Sequence, residues 1–187
     1  MPCVSDNCYF CKPLKIILII MKRILLSVCF ISLVLFSASA QKVNKDSLAL
    51  IKFEQALVDI EAKDFVIIVD SYAKEDGSFE TNTDNSQFIS YEKEFMFLQG
   101  MILAENVHTN KLTVSDYSQE TDKKGNIRIS MQVAGFYIRA KVEITLKKKA
   151  GNYADVIITP TKGSNKRFSG YVVPTARSEY FKRSSVI

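Results

Sequence analysis

Along residues 127–146 apolar and polar side chains alternate almost without a break. Ile127, Ile129, Met131 and Val133 share one parity, and Phe136, Ile138, Ala140 and Val142 share the other. A two-residue turn at Ala134 and Gly135 sets Val133 opposite Phe136, Met131 opposite Ile138, Ile129 opposite Ala140 and Ile127 opposite Val142. Every apolar residue then lies on one face. The other face carries Arg128, Ser130, Gln132, Tyr137, Arg139, Lys141 and Glu143, a polar set expected where an antiparallel sheet meets water. A slip by one residue would carry those charges into the core, so parity is strongly specified. Two strands cannot bury their own apolar face, and the pattern therefore demands a cover from the rest of the chain.

Upstream the period changes. From Asp46 to Lys63 apolar residues recur at Ala49, Phe53, Ala56, Leu57 and Ile60, with Lys52, Gln55, Asp59 and Lys63 on the other side. That spacing predicts an amphipathic helix, with Asn44 or Asp46 as its cap. Residues 65–74 predict a β-branched strand, and the unbroken run Phe65 to Val69 implies burial on both faces, one of them under the helix. Residues 75–86 are polar and turn-rich and predict a long loop. Strands are expected at 88–91 and 94–103 around a Glu92–Lys93 turn, and at 112–121. A loop at 122–125 leads into the alternating pair. Residues 153–160 and 167–174 complete the set, Pro174 marking a strand end, and residues 178–183 predict a last short strand. The expected fold is mainly β (α+β): one N-terminal amphipathic helix packed on an antiparallel meander of about eight strands, closing into a barrel-like sheet or a small sandwich.

The first forty residues read differently. Lys22 and Arg23, an apolar run from Ile24 to Phe36, then Ala38, Ser39 and Ala40 before Gln41 have the parts of a secretory signal in order. The expectation is a signal peptide from Met21 to Ala40 cleaved before Gln41, with residues 1–20 arising from a mis-assigned upstream start. The apolar run is too short to span a bilayer, and no stable membrane insertion is expected after cleavage. Residues 41–187 then form one β-rich domain, periplasmic or secreted. Cys3, Cys8, Cys11 and Cys29 all precede it. The first three lack a fourth ligand for structural zinc, and Leu26, Ser27 and Val28 do not suit a lipoprotein cysteine. Four of the 25 Lys and Arg and one of the 20 Asp and Glu lie in residues 1–40, which leaves 21 against 19 and a net charge of +2. Apparent basicity is therefore mostly export signal. Lys147 to Lys149 and Lys166 with Arg167 read as solvated loop charges, and nucleic acid is not an expected partner.

Candidate chemistry is sparse. His108 is the single histidine and reads as a surface-loop residue. No G-x-S-x-G elbow or glycine-rich phosphate loop is present. Glu92 with Glu94, and Glu75 with Asp76, are neighbours only within turns, where solvated acids are the rule. Glu80, Asn82, Asp84 and Asn85 supply hard oxygens in one loop but lack the ligand spacing of an EF-hand. No catalytic, cofactor-binding or metal-binding residue is assigned, and no cofactor is expected. Phe88, Phe95 and Phe97 read as core, and Tyr91, Tyr117, Tyr137, Tyr153 and Tyr171 as its rim with hydroxyls in water. Two functional classes follow. One is a non-enzymatic envelope module that binds a protein, glycan or small apolar ligand through a sheet face or barrel mouth. The alternative is a small periplasmic hydrolase or lyase using carboxylates in a cleft.

The ordered phrases ALVDIEAKDFVI, TDKKGNIRISMQV, VIITP and FSGYVVPTARSEYFK, spread over residues 46–183, resemble a family of exported Bacteroidetes proteins, domain of unknown function family 4251. The resemblance implies a small β-rich domain, periplasmic or secreted, in a Gram-negative bacterium. It implies no activity and no site residues.

Overall fold

The computed structural model describes residues 45–187. The predicted signal peptide, the leader and the four cysteines lie outside the described residues, as does Asn44. The helix α1 is described over residues 45–61 and already includes Asp46, which is therefore not its cap. Nine strands follow: β1 (Asp64–Ala73), β2 (Phe79–Thr81), β3 (Phe88–Glu92), β4 (Phe95–Gly100), β5 (Asn106–Thr121), β6 (Ile127–Ala134), β7 (Arg139–Leu146), β8 (Tyr153–Pro160) and β9 (Lys166–Val173). A one-turn helix, α2 (Met101–Ala104), separates β4 from β5.

Every pairing is antiparallel and follows chain order from β3 to β9, and β1 pairs with both β3 and β9. The result is a closed eight-stranded barrel, with β2 added as a short flap on the far end of β1. Of the two expected forms, barrel and sandwich, the barrel is the one formed.

The alternation explains the closure. Phe65, Ile67, Met96, Leu98, Val142, Ile144, Val156 and Phe168 point inward and are buried, and Phe53, Ala56 and Ile60 of α1 join the same cluster from one end. An eight-stranded barrel has an interior just wide enough for side chains to fill, and here they fill it. The outside carries Arg128, Ser130, Lys141, Glu143 and Asp155. That is the reverse of a membrane-spanning barrel, whose apolar residues face outward.

The β6–β7 register departs from expectation. Val133 lies opposite Ala140, Met131 opposite Val142, Ile129 opposite Ile144 and Ile127 opposite Leu146. Residues 135–138 form a four-residue loop, closed by the Gly135 N–H on the Ile138 carbonyl at 2.8 Å. The shift is an even number of residues, so the inward face is unchanged. It exchanges Phe136 and Ile138 for the fully buried Ile144 and Leu146. Phe136, expected in the core, stands 81% exposed.

Other differences have local causes. β4 stops at Gly100, whose φ of 111° lies outside the range of L side chains and whose place for a Cβ is taken by the Gln87 amide. The chain then turns through α2, and β5 begins at Asn106, so His108 lies in a strand and not in a loop. A bulge at Asp116 and Tyr117 shifts the register of β5 against β6 by one and turns Tyr117 towards the core. The expected loop 75–86 contains β2. The β1 run Phe65 to Ile67 is buried on both faces as expected.

Cover for the outer face comes from the other end of the chain. After Pro174 residues 175–187 cross the outside of the barrel, with the Thr175 hydroxyl on Asp64, Tyr180 against Phe88 and Ser185 to Ile187 on Thr109. The expected last strand at 178–183 does not form: those residues belong to an extended strap, and a parallel bridge to Thr109 comes beyond them at Val186.

The β1–β9 seam is tightest at Gly170, where a Cβ would overlap the Ile68 carbonyl oxygen and press on the Ile67 side chain. A backbone oxygen cannot move without breaking the seam. Gly170→Ala is expected to destabilise by about 3 kcal/mol, the upper part of the usual range for overpacking. Thermal unfolding followed by circular dichroism checks this, with an expected fall in midpoint of roughly 6–12 °C for a domain of this size.

Candidate functional site at the barrel mouth

Closure leaves two ends. Residues of α1 fill one. At the other, the β6–β7 loop, the β8–β9 loop and α2 surround an open cleft of about 310 Å³. Its floor is apolar: Leu103 and Ile158 are buried top members of the barrel core. Ile138 and Pro160 form parts of the wall. Over it stand Phe136 and Tyr137, 81% and 68% exposed, with ring centroids 4.6 Å apart in an edge-to-face pair. Arg139, Lys162 and Lys166 supply positive charge to the rim, and Glu105 supplies the acid.

Lys166 Nζ lies 2.5 Å from Glu105 Oε1. Lys166 opens β9 and Glu105 immediately precedes β5, strands four places apart around the ring, so this ion pair reaches across the mouth. Both partners are partly exposed, and such pairs contribute at most about 1 kcal/mol. Glu105 ends α2 in a left-handed backbone conformation with φ 55°.

The residues weighed from the sequence do not converge. Glu92 accepts two hydrogen bonds from Lys182, both at 2.8 Å, and one from the Ser90 hydroxyl at 2.8 Å. Asp76 accepts the Ser78 N–H and hydroxyl, which hold its carboxyl below the ordinary range. Glu80 is paired with Lys74 at 2.6 Å. Asp84 accepts from the Ser86 backbone and hydroxyl and from Gln87, and the Ser86 contacts lower its pKa. Asn82 donates to the Val69 and Asp84 carbonyls and Asn85 to that of Glu179. These contacts hold the loop to itself and to β1 and the C-terminal segment. His108 Nδ1 faces the Ser185 hydroxyl at 3.3 Å. Among the described residues, no three His, Asp or Glu side chains gather in a metal-binding group.

The aromatics divide differently from the expectation. Phe88 is buried as expected, but so is Tyr91, expected at the rim, and the two lie on opposite faces of β3. Phe95 and Phe97 lie on the outer surface beneath Lys111 and Lys182, with the ammonium groups 3.7 and 3.4 Å from the ring centroids. Tyr153 stacks edge-to-face on the half-exposed Tyr171 at 4.9 Å. Phe136 was missed as a surface residue because the alternation continues through it, and parity alone cannot show which pair closes a hairpin.

An antiparallel eight-stranded barrel plugged at one end by a helix and open at the other defines the class. Its likeness extends to a crystal structure of a DUF4251 family protein from Bacteroides eggerthii, with a TM-score of 0.58 and 24% sequence identity over 69% of this chain and 91% of that one. The chain therefore has a DUF4251-like fold. Neither a family model nor a curated protein matches the sequence. No described helix is long and apolar enough to cross a membrane, which says nothing of strands.

Tyr180 donates its hydroxyl to Glu92 Oε1 at 3.3 Å. Burial first, and then the Glu92 charge, push its pKa up to about 12. A tyrosine raised in the folded state from its ordinary value near 10 keeps its contribution below pH 10 and loses it as pH rises through the folded value. Ultraviolet titration of the wild type against Tyr180→Phe is expected to show one phenol ionising late. The strap should loosen over the same window.

Proposed function

We propose that the chain is an exported binding module with no catalysis of its own, and that it takes a small apolar ligand carrying an acidic group at the barrel mouth. The observation that carries this reading is the stacked, exposed pair Phe136 and Tyr137 over an apolar floor. Large aromatics left in water at the lip of a concave apolar surface favour binding, because occupation removes from water an area that folding did not bury. A volume of about 310 Å³ lies at the small end of ligand sites.

The acidic group follows from the rim, where Arg139, Lys162 and Lys166 face a single acid, Glu105. A ligand carboxylate would replace Glu105 on Lys166 at little cost, because the pair it displaces is a weak surface one. Export is supported by the order of Lys22, Arg23, the apolar run and Ala38-Ser39-Ala40. A glycoside hydrolase working at this mouth would need two acids facing it. Among the described residues the mouth presents Glu105 alone.

Calorimetric titration with octanoate and with octanol tests the reading. Octanoate is expected to bind about tenfold more tightly, a difference near 1.4 kcal/mol. Replacing both Phe136 and Tyr137 by Ala should weaken binding by at least about tenfold and move stability by no more than about 0.5 kcal/mol, as is usual for exposed positions. Equal binding by the wild type and the double variant, or none by either, would contradict it.

A further inference from the structure

Across the outside of β3, β4 and β5, residues 179–187 lie in an extended groove that reads them as a bound peptide is read. Backbone groups of the odd-numbered residues are held in turn. Asn85 holds Glu179 and Phe181, with its amide on the Glu179 carbonyl at 3.3 Å and its own carbonyl accepting the Phe181 N–H at 3.2 Å. The buried Gln99 side chain donates to the Phe181 carbonyl at 2.7 Å and accepts the Arg183 N–H at 2.8 Å. Thr109 donates its hydroxyl to the Arg183 carbonyl at 3.0 Å and its N–H to that of Ser185 at 3.1 Å, and its carbonyl accepts the Ile187 N–H at 3.0 Å.

The even-numbered side chains enter two sites. Tyr180 meets the Phe88 ring edge-to-face at 4.6 Å, and Lys182 forms a two-oxygen pair with Glu92 while its ammonium lies 3.4 Å from the Phe97 ring centroid. Backbone bonds at alternate residues, with sites for the side chains between them, are how an extended peptide is gripped and read. Residues 185–187 of the strap lie where the sheet is unpaired. β5 pairs with β6 only from Thr113 onward, so Thr109 and Lys111 lie on strand edge beyond the end of β6. Residues 185–187 cover that edge, which would otherwise offer itself to another chain.

We propose that this groove is an exchangeable peptide site, selective for an extended segment with an aromatic residue and a lysine two positions later. Its second occupant is the same segment of another copy, so that two chains trade residues 179–187 and form a symmetric dimer. Complementarity to that segment is already met in full by the contacts above, and exchange needs no new interface. The hinge is short: Pro174 and the turn Thr175–Arg177 between the end of β9 and the groove. In one chain the strap is tethered at high effective concentration, so exchange is rare until the internal contact is weakened.

Two charge reversals test this without relying on spontaneous exchange. In Glu92→Lys and in Lys182→Glu, each chain's own strap is repelled by its own groove, whereas each strap suits the partner's groove. The two chains, one of them labelled with nitrogen-15, are mixed and also co-diluted from urea, which covers the case that either alone fails to fold. Native mass spectrometry is expected to find a folded one-to-one heterodimer only in the mixture. A peptide of sequence SEYFKRSSVI should bind the Lys182→Glu chain and lose at least tenfold in affinity when Gln99→Ala is added. Monomers in the mixture, homodimers of each variant in equal amount, or peptide binding insensitive to Gln99 would each overturn the proposal.

Discussion

The pairing of β1 with β9 is the constraint on which the rest depends. Strands β3 to β9 could form an open meander from local hairpins alone, but Phe168 and Val172 would then line a free edge and the inward residues of β6 and β7 would face solvent. When Val66 meets Val173 and Ile68 meets Tyr171, the sheet closes on itself. Closure requires two backbones to approach at Gly170 where no side chain fits. It also joins the two elements farthest apart in the barrel sequence, so the loop-closure entropy of most of the domain opposes it. The buried apolar side chains of the interior supply the opposing free energy.

Both surface features follow from that seam. The β6–β7 and β8–β9 loops meet α2 across an opening only because the strands between them curve through a full ring, and the Lys166–Glu105 pair spans the opening they leave. At the opposite end of β9, the seam delivers Pro174 and Thr175 beside Asp64, from which the strap can run over β3 and β4 to the exposed edge of β5. A barrel in which β9 lay elsewhere would have neither the mouth nor the strap in these places.

Much of the architecture was legible because period and parity are strong physical signals. The helical spacing of Phe53, Ala56 and Ile60 and the alternation of Ile127 to Val133 report directly which face leaves water. What escaped was set by contacts between residues distant in sequence. An even shift of register leaves parity intact, so nothing local distinguishes Val133 opposite Phe136 from Val133 opposite Ala140; the volume of Ile144 and Leu146 in the interior decides it. The polar appearance of Gln99 and Thr109 concealed their burial, because their partners are backbone groups of residues 181–187. The mouth was equally hidden, since Phe136 and Lys166 come together only after closure.

Amide hydrogen exchange measured by nuclear magnetic resonance addresses the seam most directly. If the barrel is closed and cooperative, the amides of Val66 to Val69 and of Gly170 to Val172 open only with global unfolding and show the same exchange free energy as those of Ile129 and Met131. Exchange of the β1 and β9 amides at loop-like rates, while β6 and β7 stay protected, would mean an open sheet and contradict the account.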